Sequence, residues 1–77
     1  MVEHSGQWKR GFAQAMAGVL WNENEHPDWR EGHIKAVAGM VFGTLPDKHN
    51  LLGKQKESGT WEQEYAYLKK LFPKVEL

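Results

Sequence analysis

The chain has 77 residues, which leaves room for one small domain. It contains no cysteine, and this excludes disulfides, thiolate metal sites and thiol catalysis. Its ten basic and ten acidic residues cancel, which argues against a general binder of nucleic acid or of anionic membranes. The N-terminus lacks the apolar stretch of a secretory signal, and no apolar run is long enough to span a bilayer. We therefore expect a cytoplasmic protein with no membrane contact.

Three segments carry the apolar spacing of amphipathic helices. The predicted helices cover residues about 6–22, 28–43 and 60–72. Asp28 and Thr60 each precede a tryptophan and have Glu or Gln three residues later, a pattern typical of a helix N-cap. Ser5 is the better cap for the first helix.

The segment between the second and third helices is less regular. Pro46 and the residues after it favour a short helical turn over about 46–52. Residues 53–59, GKQKESG, have the composition of a mobile loop. No stretch alternates apolar and polar residues over a useful length, so strands are not expected. The fold class is therefore all-α: a small three- to four-helix domain, with the first two helices forming a hairpin that the C-terminal helix covers.

The first two helices repeat one another. Residues 8–21 read WKRGFAQAMAGVLW and residues 29–42 read WREGHIKAVAGMVF, so Trp, Gly, Ala, Ala and Gly recur at equivalent places. Two glycines inside a helix cost about 1 kcal/mol each relative to alanine, which suggests that small residues are needed there. The seams Gly11-Ala15-Gly18 and Gly32-Ala36-Gly39 therefore predict a close contact between the two helices.

One position breaks the repeat, because His33 stands where the first copy has Phe12. His33 lies at the centre of an apolar helix face, so we expect a core histidine bonded to a backbone carbonyl or to Tyr65 or Tyr67. Three alternatives remain open from the sequence: a polar contact in an interface, a pH-sensitive contact and a ligand of a metal site.

The first two helices are apolar over more than the usual stripe, and one short third helix covers only part of such a surface. Remaining apolar surface indicates a partner site, and self-association into a homodimer is the simplest way to cover it. The alternative is that Leu51 and Leu52 close the gap within the monomer. The predicted partner-binding residues, including an acidic rim, are Trp21, His33, Phe42, Trp61, Glu23, Glu25 and Asp28.

No motif in the sequence points to catalysis or to a bound cofactor. The acidic stretch over residues 22–31 lies near His33, but it has neither EF-hand spacing nor the HExxH signature. The chain also lacks a GxSxG motif and a phosphate-binding glycine loop. We therefore expect no metal, no cofactor and no enzymatic activity.

The interpretation that fits these features best is a small regulator or inhibitor that occupies the surface of a partner protein. Compact chains without cysteine are common among accessory proteins of phages and mobile elements, and we expect such an origin. The alternative is a nucleic-acid-associated regulator that uses a basic loop. Its contact residues would be Lys48, Lys54, Lys56 and Lys70.

Overall fold

The computed structural model describes residues 5–74, and over that range the chain forms four helices and no strand. The helices are α1 (Gly6–Met16), α2 (Pro27–Phe42), α3 (Leu51–Ser58) and α4 (Thr60–Leu71). The all-α class predicted from the sequence is confirmed. None of these helices has the length and apolarity required to cross a bilayer.

The close contact between α1 and α2 forms where the repeated glycines predicted it. A Cβ atom on Gly11 would overlap the backbone carbonyl of Trp29, and one on Gly32 would overlap the carbonyl of Trp8. These four residues occupy two pairs of equivalent positions in the repeat, so the contact is reciprocal. The seam does not extend as far as predicted, because Gly18 faces the side chain of His49 instead of α2.

The first helix ends at Met16, several residues before the predicted end near residue 22. Gly18 adopts a left-handed backbone conformation with φ of 88°, which side chains with a Cβ rarely adopt. The amides of Gly18 and Val19 bond back to the carbonyls of Ala15 and Gln14 at 3.0 and 2.9 Å. This is the Schellman pattern that closes a helix C-terminus, and it sends residues 19–22 away from the helix.

Two of the predicted helix starts are corrected by the structure. Pro27 is the first residue of α2, and the Nδ1 atom of His26 accepts the amide of Asp28 at 3.0 Å. Proline suits this position because the missing N–H would have had no helical partner. Thr60 is the first residue of α4, so it does not occupy the cap position. The cap at Ser5 is confirmed, since its side chain accepts the amide of Trp8 at 3.1 Å.

The predicted mobile loop over 53–59 is wrong, because residues 51–58 form α3. The predicted helical turn over 46–52 is also wrong over most of its length, since helix begins only at Leu51. Asp47 explains this start: its two carboxylate oxygens accept the amides of Leu51 and Leu52 at 2.7 and 3.1 Å. A single residue, Gly59, separates α3 from α4.

The buried side chains form two apolar clusters. The closed cluster comprises Trp21, Trp29, Ile34, Ala38 and Leu68, and α4 covers it. The open cluster comprises Ala15, Ala36, Val37, Met40 and Leu51. Its outer neighbours are all only partly buried, and they are Phe12, Met16, Leu20, Val41, Leu45, Leu52 and Trp61. The closed cluster is also bordered by partly buried side chains, but by three of the described residues, Tyr65, Tyr67 and Phe72, against seven around the open cluster. The α1–α2 pair thus retains more accessible apolar surface on the side of the open cluster, although Leu51 is buried there and Leu52 packs against it.

Candidate functional site

His33 lies in the middle of α2 and is completely buried. Its ring stacks on that of Trp29, with centroids 4.9 Å apart and planes inclined by 28°. In α1 the equivalent pair, Trp8 and Phe12, stacks in the same way at 5.3 Å and 16°. The histidine therefore keeps the ring packing of the repeat and adds two polar nitrogen atoms to it.

Both nitrogens of the His33 ring have partners. Nε2 lies 2.7 Å from the carbonyl oxygen of Val19, and because a carbonyl only accepts, Nε2–H must be the donor. Nδ1 lies 2.6 Å from Oε2 of Glu64. This second bond requires one proton between the two atoms, either as imidazolium with carboxylate or as imidazole with carboxylic acid. The pair has no net charge in either arrangement, which reduces the cost of its burial.

The hydrogen bonds continue beyond Glu64. Its Oε1 atom accepts from the amide nitrogen of Gln55 at 2.5 Å, and Oε1 of Gln55 accepts the backbone N–H of Trp21 at 2.7 Å. We call these five residues the buried polar network: Val19, His33, Glu64, Gln55 and Trp21. It ties α2, α3 and α4 to the segment that leaves α1 after Gly18.

The geometry of the buried polar network assigns it a structural role. The side chains of His33, Gln55 and Glu64 are all 0% exposed. A satisfied buried network rigidifies a core, whereas a partly satisfied one is costly. Since no atom of these side chains reaches solvent, the pair does not meet a substrate in this fold. The expected bond from His33 to a backbone carbonyl is present, but Glu64 occupies the place predicted for Tyr65 or Tyr67.

The predicted partner-binding aromatic residues divide into buried and accessible ones. Trp21 is 4% exposed and His33 is 0% exposed, so a surface contact through these two residues does not fit the structure. Both are held inside by ring contacts and hydrogen bonds. Phe42 is 57% exposed, and Trp61 is half-buried beside the open cluster.

The predicted acidic rim is accessible, but part of it is already bonded. Glu23 is exposed, and Glu25 accepts a hydrogen bond from the guanidinium of Arg10 at 2.9 Å. Asp28 is half-buried in the first turn of α2, where the helix dipole stabilises a carboxylate. Within residues 5–74 no three His, Cys, Asp or Glu side chains are grouped so that they could hold a metal ion.

The four lysines of the nucleic-acid alternative are all exposed, but their surroundings differ. Lys56 lies over the ring of Trp61, with its Nζ 5.9 Å from the ring centroid. Lys70 lines a cavity together with Trp21 and Tyr67. Lys48 precedes α3 and Lys54 lies within it. Three of the four therefore lie on or next to α3, and Lys70 lies on α4 beside the cavity.

The cavity beside Lys70 has a volume of about 190 Å³ and opens to solvent between residues 21–23, α2 and α4. Its lining consists of Trp21, Glu23, Arg30, Gln63, Ala66, Tyr67 and Lys70. Two donors of these residues, Nε1–H of Trp21 and Nε–H of Arg30, are buried and have no acceptor within residues 5–74. A buried donor without a partner costs about 1–3 kcal/mol.

Sequence reasoning missed Glu64 and Gln55, although one of them left a signal. Glu64 lies three residues after Trp61 and four before Leu68, which places it on the apolar stripe of α4. A carboxylate on such a stripe needs a buried partner, and the unexplained His33 was available on α2. Gln55 left no comparable signal, because the residues around it have the composition of a loop.

Comparison with known proteins gives no relative: no family model, no curated protein and no solved structure matches this chain.

Proposed function

We propose that the protein is a small regulator that binds a partner protein through Phe42 and the partly buried side chains of the open cluster, and that it occupies part of the partner's surface. The observation that carries this proposal is the exposure of Phe42. Phe42 and Trp21 end the two copies of the repeat, yet Trp21 is 4% exposed and Phe42 is 57% exposed. A large aromatic side chain left outside a core that buries its counterpart is typical of a contact residue.

The surroundings of Phe42 support an apolar contact surface. Val41 precedes it in α2 and Leu45 follows it in the next turn, and both are only partly buried against the open cluster. Leu52 and Trp61 pack on the same cluster from α3 and α4 and are also partly accessible. An apolar patch supplied by helices that the rest of the fold holds in place loses little conformational entropy on binding.

Charge indicates the chemistry of the partner. Lys48, Lys54 and Lys56 lie on or next to α3, which supplies Leu51 and Leu52 to the open cluster. These lysines outnumber the exposed carboxylate of Glu57 on the same helix. A partner with acidic residues around an apolar patch complements this surface. A symmetric homodimer through the same face brings like charges towards each other, so the occupant we commit to is a different protein.

The test uses photo-crosslinking in the cells that produce the protein. A photoreactive residue is placed at position 42, and the matched control carries it at position 71, because Leu71 is also exposed, at 40%, but lies at the end of α4 instead of α2. The expected result is one protein crosslinked from position 42 and not from position 71. Affinity of the purified pair should fall about tenfold or more for Phe42→Ser and remain unchanged for Leu71→Ser.

The other outcomes of this experiment contradict the proposal. A covalent dimer of the chain itself would show that this face joins two copies, and sedimentation equilibrium of the purified protein would confirm that state. A crosslink to DNA or RNA, with affinity that falls steeply with salt, would favour the nucleic-acid alternative. Equal crosslinking from positions 42 and 71 would show that Phe42 does not mark the contact surface.

A further inference from the structure

We propose that the cavity between residues 21–23, α2 and α4 binds a small organic carboxylate. This site is separate from the open cluster, since its lining residues pack with the closed cluster or face solvent. Its volume of about 190 Å³ exceeds the roughly 150 Å³ of a cavity that accommodates benzene. An aromatic or short aliphatic monocarboxylate is of the right size.

The charges that face the cavity favour an anion. Arg30 and Lys70 supply two positive charges and Glu23 supplies one negative charge, while Gln63 and Tyr67 add neutral polar groups. The cavity therefore presents one excess positive charge to a ligand. A guanidinium and an ammonium are the groups that proteins commonly use to bind carboxylates.

Two of the residues that line the cavity also carry buried donors without a partner in residues 5–74. Trp21 is 96% buried, since its exposed fraction is 4%, and its Nε1–H has no acceptor within the described chain. Nε–H of Arg30 is in the same condition. Since neither nitrogen has accessible surface, both lie behind the cavity wall, and the charges of Arg30 and Lys70 carry the proposal.

The walls of the cavity fix the position of the cation. The guanidinium of Arg30 lies over the Tyr67 ring, with Cζ 5.4 Å from its centroid. The Tyr67 ring in turn contacts that of Trp21, with centroids 5.3 Å apart. The carboxylate should therefore lie against Arg30 and Lys70, and the apolar part of the ligand should lie on the aromatic wall.

The test is a titration of the intact, ¹⁵N-labelled protein with benzoate, followed by the Trp21 indole and Arg30 Nε–H signals in ¹H–¹⁵N spectra. We expect saturable shifts of both signals with a dissociation constant of about 1 mM, as suits a ligand of this size. Benzamide, which has the same shape without the charge, should give no saturable shift. Acetate should bind more weakly, because it leaves the aromatic wall uncovered.

Substitutions locate the site. Arg30→Gln should weaken benzoate binding about tenfold, and Lys70→Gln about threefold. The matched control is Lys69→Gln, because Lys69 is also exposed on α4 but lies over the ring of Tyr65, outside the cavity. If Arg30→Gln fails to fold, the comparison of Lys70→Gln with Lys69→Gln still decides the question.

The proposal is overturned if benzoate produces no saturable shift at tens of millimolar. It is also overturned if benzamide shifts the same signals equally, since the cavity would then select shape and not charge. Equal weakening by Lys69→Gln and Lys70→Gln would assign the effect to the general charge of α4. None of these results depends on the open cluster, so the proposed function is tested separately.

Discussion

The two copies of the repeat share their packing but end differently. In both, a tryptophan stacks on the ring four residues later, and a glycine lies against the backbone of the other copy. After that point α1 stops at Met16, whereas α2 continues to Phe42 through the equivalent positions. Similar sequences thus form one shorter and one longer helix.

The histidine at position 33, where the first copy has Phe12, is connected to the early end of α1. When residues 19–21 leave the helix, the carbonyl of Val19 and the amide of Trp21 need partners outside α1. His33 binds the first and Gln55 binds the second. The histidine that breaks the repeat in sequence therefore satisfies a backbone group exposed by the break in structure. Glu64 joins the two side chains and completes the arrangement.

Replacing His33 by phenylalanine, the residue type of the first copy, should lower the free energy of unfolding more than any other change considered. His33→Phe restores the residue type of the first copy, but leaves Val19 without a donor and Glu64 without its proton-sharing partner. Breaking a buried pair from one side costs about 3–5 kcal/mol, which is much of the stability of a domain this small. Urea unfolding followed by circular dichroism measures the loss, and a change below about 1 kcal/mol would contradict the structural role.

A second substitution in the His33→Phe variant separates the cost of the unpaired Glu64 carboxylate from the cost of replacing the ring. Glu64→Leu added to His33→Phe removes the unpaired carboxylate and leaves an apolar pair in its place. The double variant should be more stable than His33→Phe alone, since replacing both partners costs less than removing one. If the double variant loses the sum of both single changes, the two residues are not coupled.

The shared part of the repeat can be tested through its glycines. Gly11→Ala and Gly32→Ala each place a methyl group onto a backbone carbonyl of the other helix, so each should lose about 1–3 kcal/mol despite the better helix propensity of alanine. Gly6→Ala is the control, because no atom lies within 4 Å of its added Cβ. It should change the free energy of unfolding by less than about 0.5 kcal/mol.

The features that the two copies share were predictable because they depend on nearby residues or on glycines at equivalent positions of the two helices. The glycine contact needs only the sequences of the two helices, and its prediction at Gly11 and Gly32 is confirmed. The end of α1 was not predictable in the same way, because Gly18 and Gly39 are equivalent in sequence. Only Gly18 ends a helix, and the groups it releases are satisfied by residues 14 to 34 positions away.

Gln55 is a second residue whose role the sequence pattern could not predict. Its segment, GKQKESG, has few apolar residues, and its helix is held by contacts that no local pattern reveals. Asp47 caps the first turn, and the Gln55 side chain reaches two partners in the core. The exposure of Phe42 was predicted from the excess of apolar residues in α2, whereas the burial of Trp21 depends on the break after Gly18.

Removing the Gln55 side chain should lower the free energy of unfolding by an intermediate amount. Gln55→Ala leaves the amide of Trp21 without an acceptor and deprives Glu64 of one donor, which should cost about 1–3 kcal/mol. Hydrogen exchange at the Trp21 amide should accelerate more than exchange within α1. Lys54→Ala, at an exposed position of the same helix as Gln55, is the control and should leave both quantities nearly unchanged.

The converse exchange, Phe12→His, should have the smallest effect. Phe12 is half-buried and stacks on Trp8, so an imidazole keeps the ring contact and loses part of the apolar area. The equivalent of the Val19 carbonyl, that of Met40, lies in the last turn of α2, where the backbone is still helical and its carbonyls point along the helix axis. The expected cost is therefore about 1 kcal/mol or less, measured by the same urea unfolding. A loss as large as that of His33→Phe would mean that the two positions remain equivalent, and that the break after Gly18 does not explain the histidine.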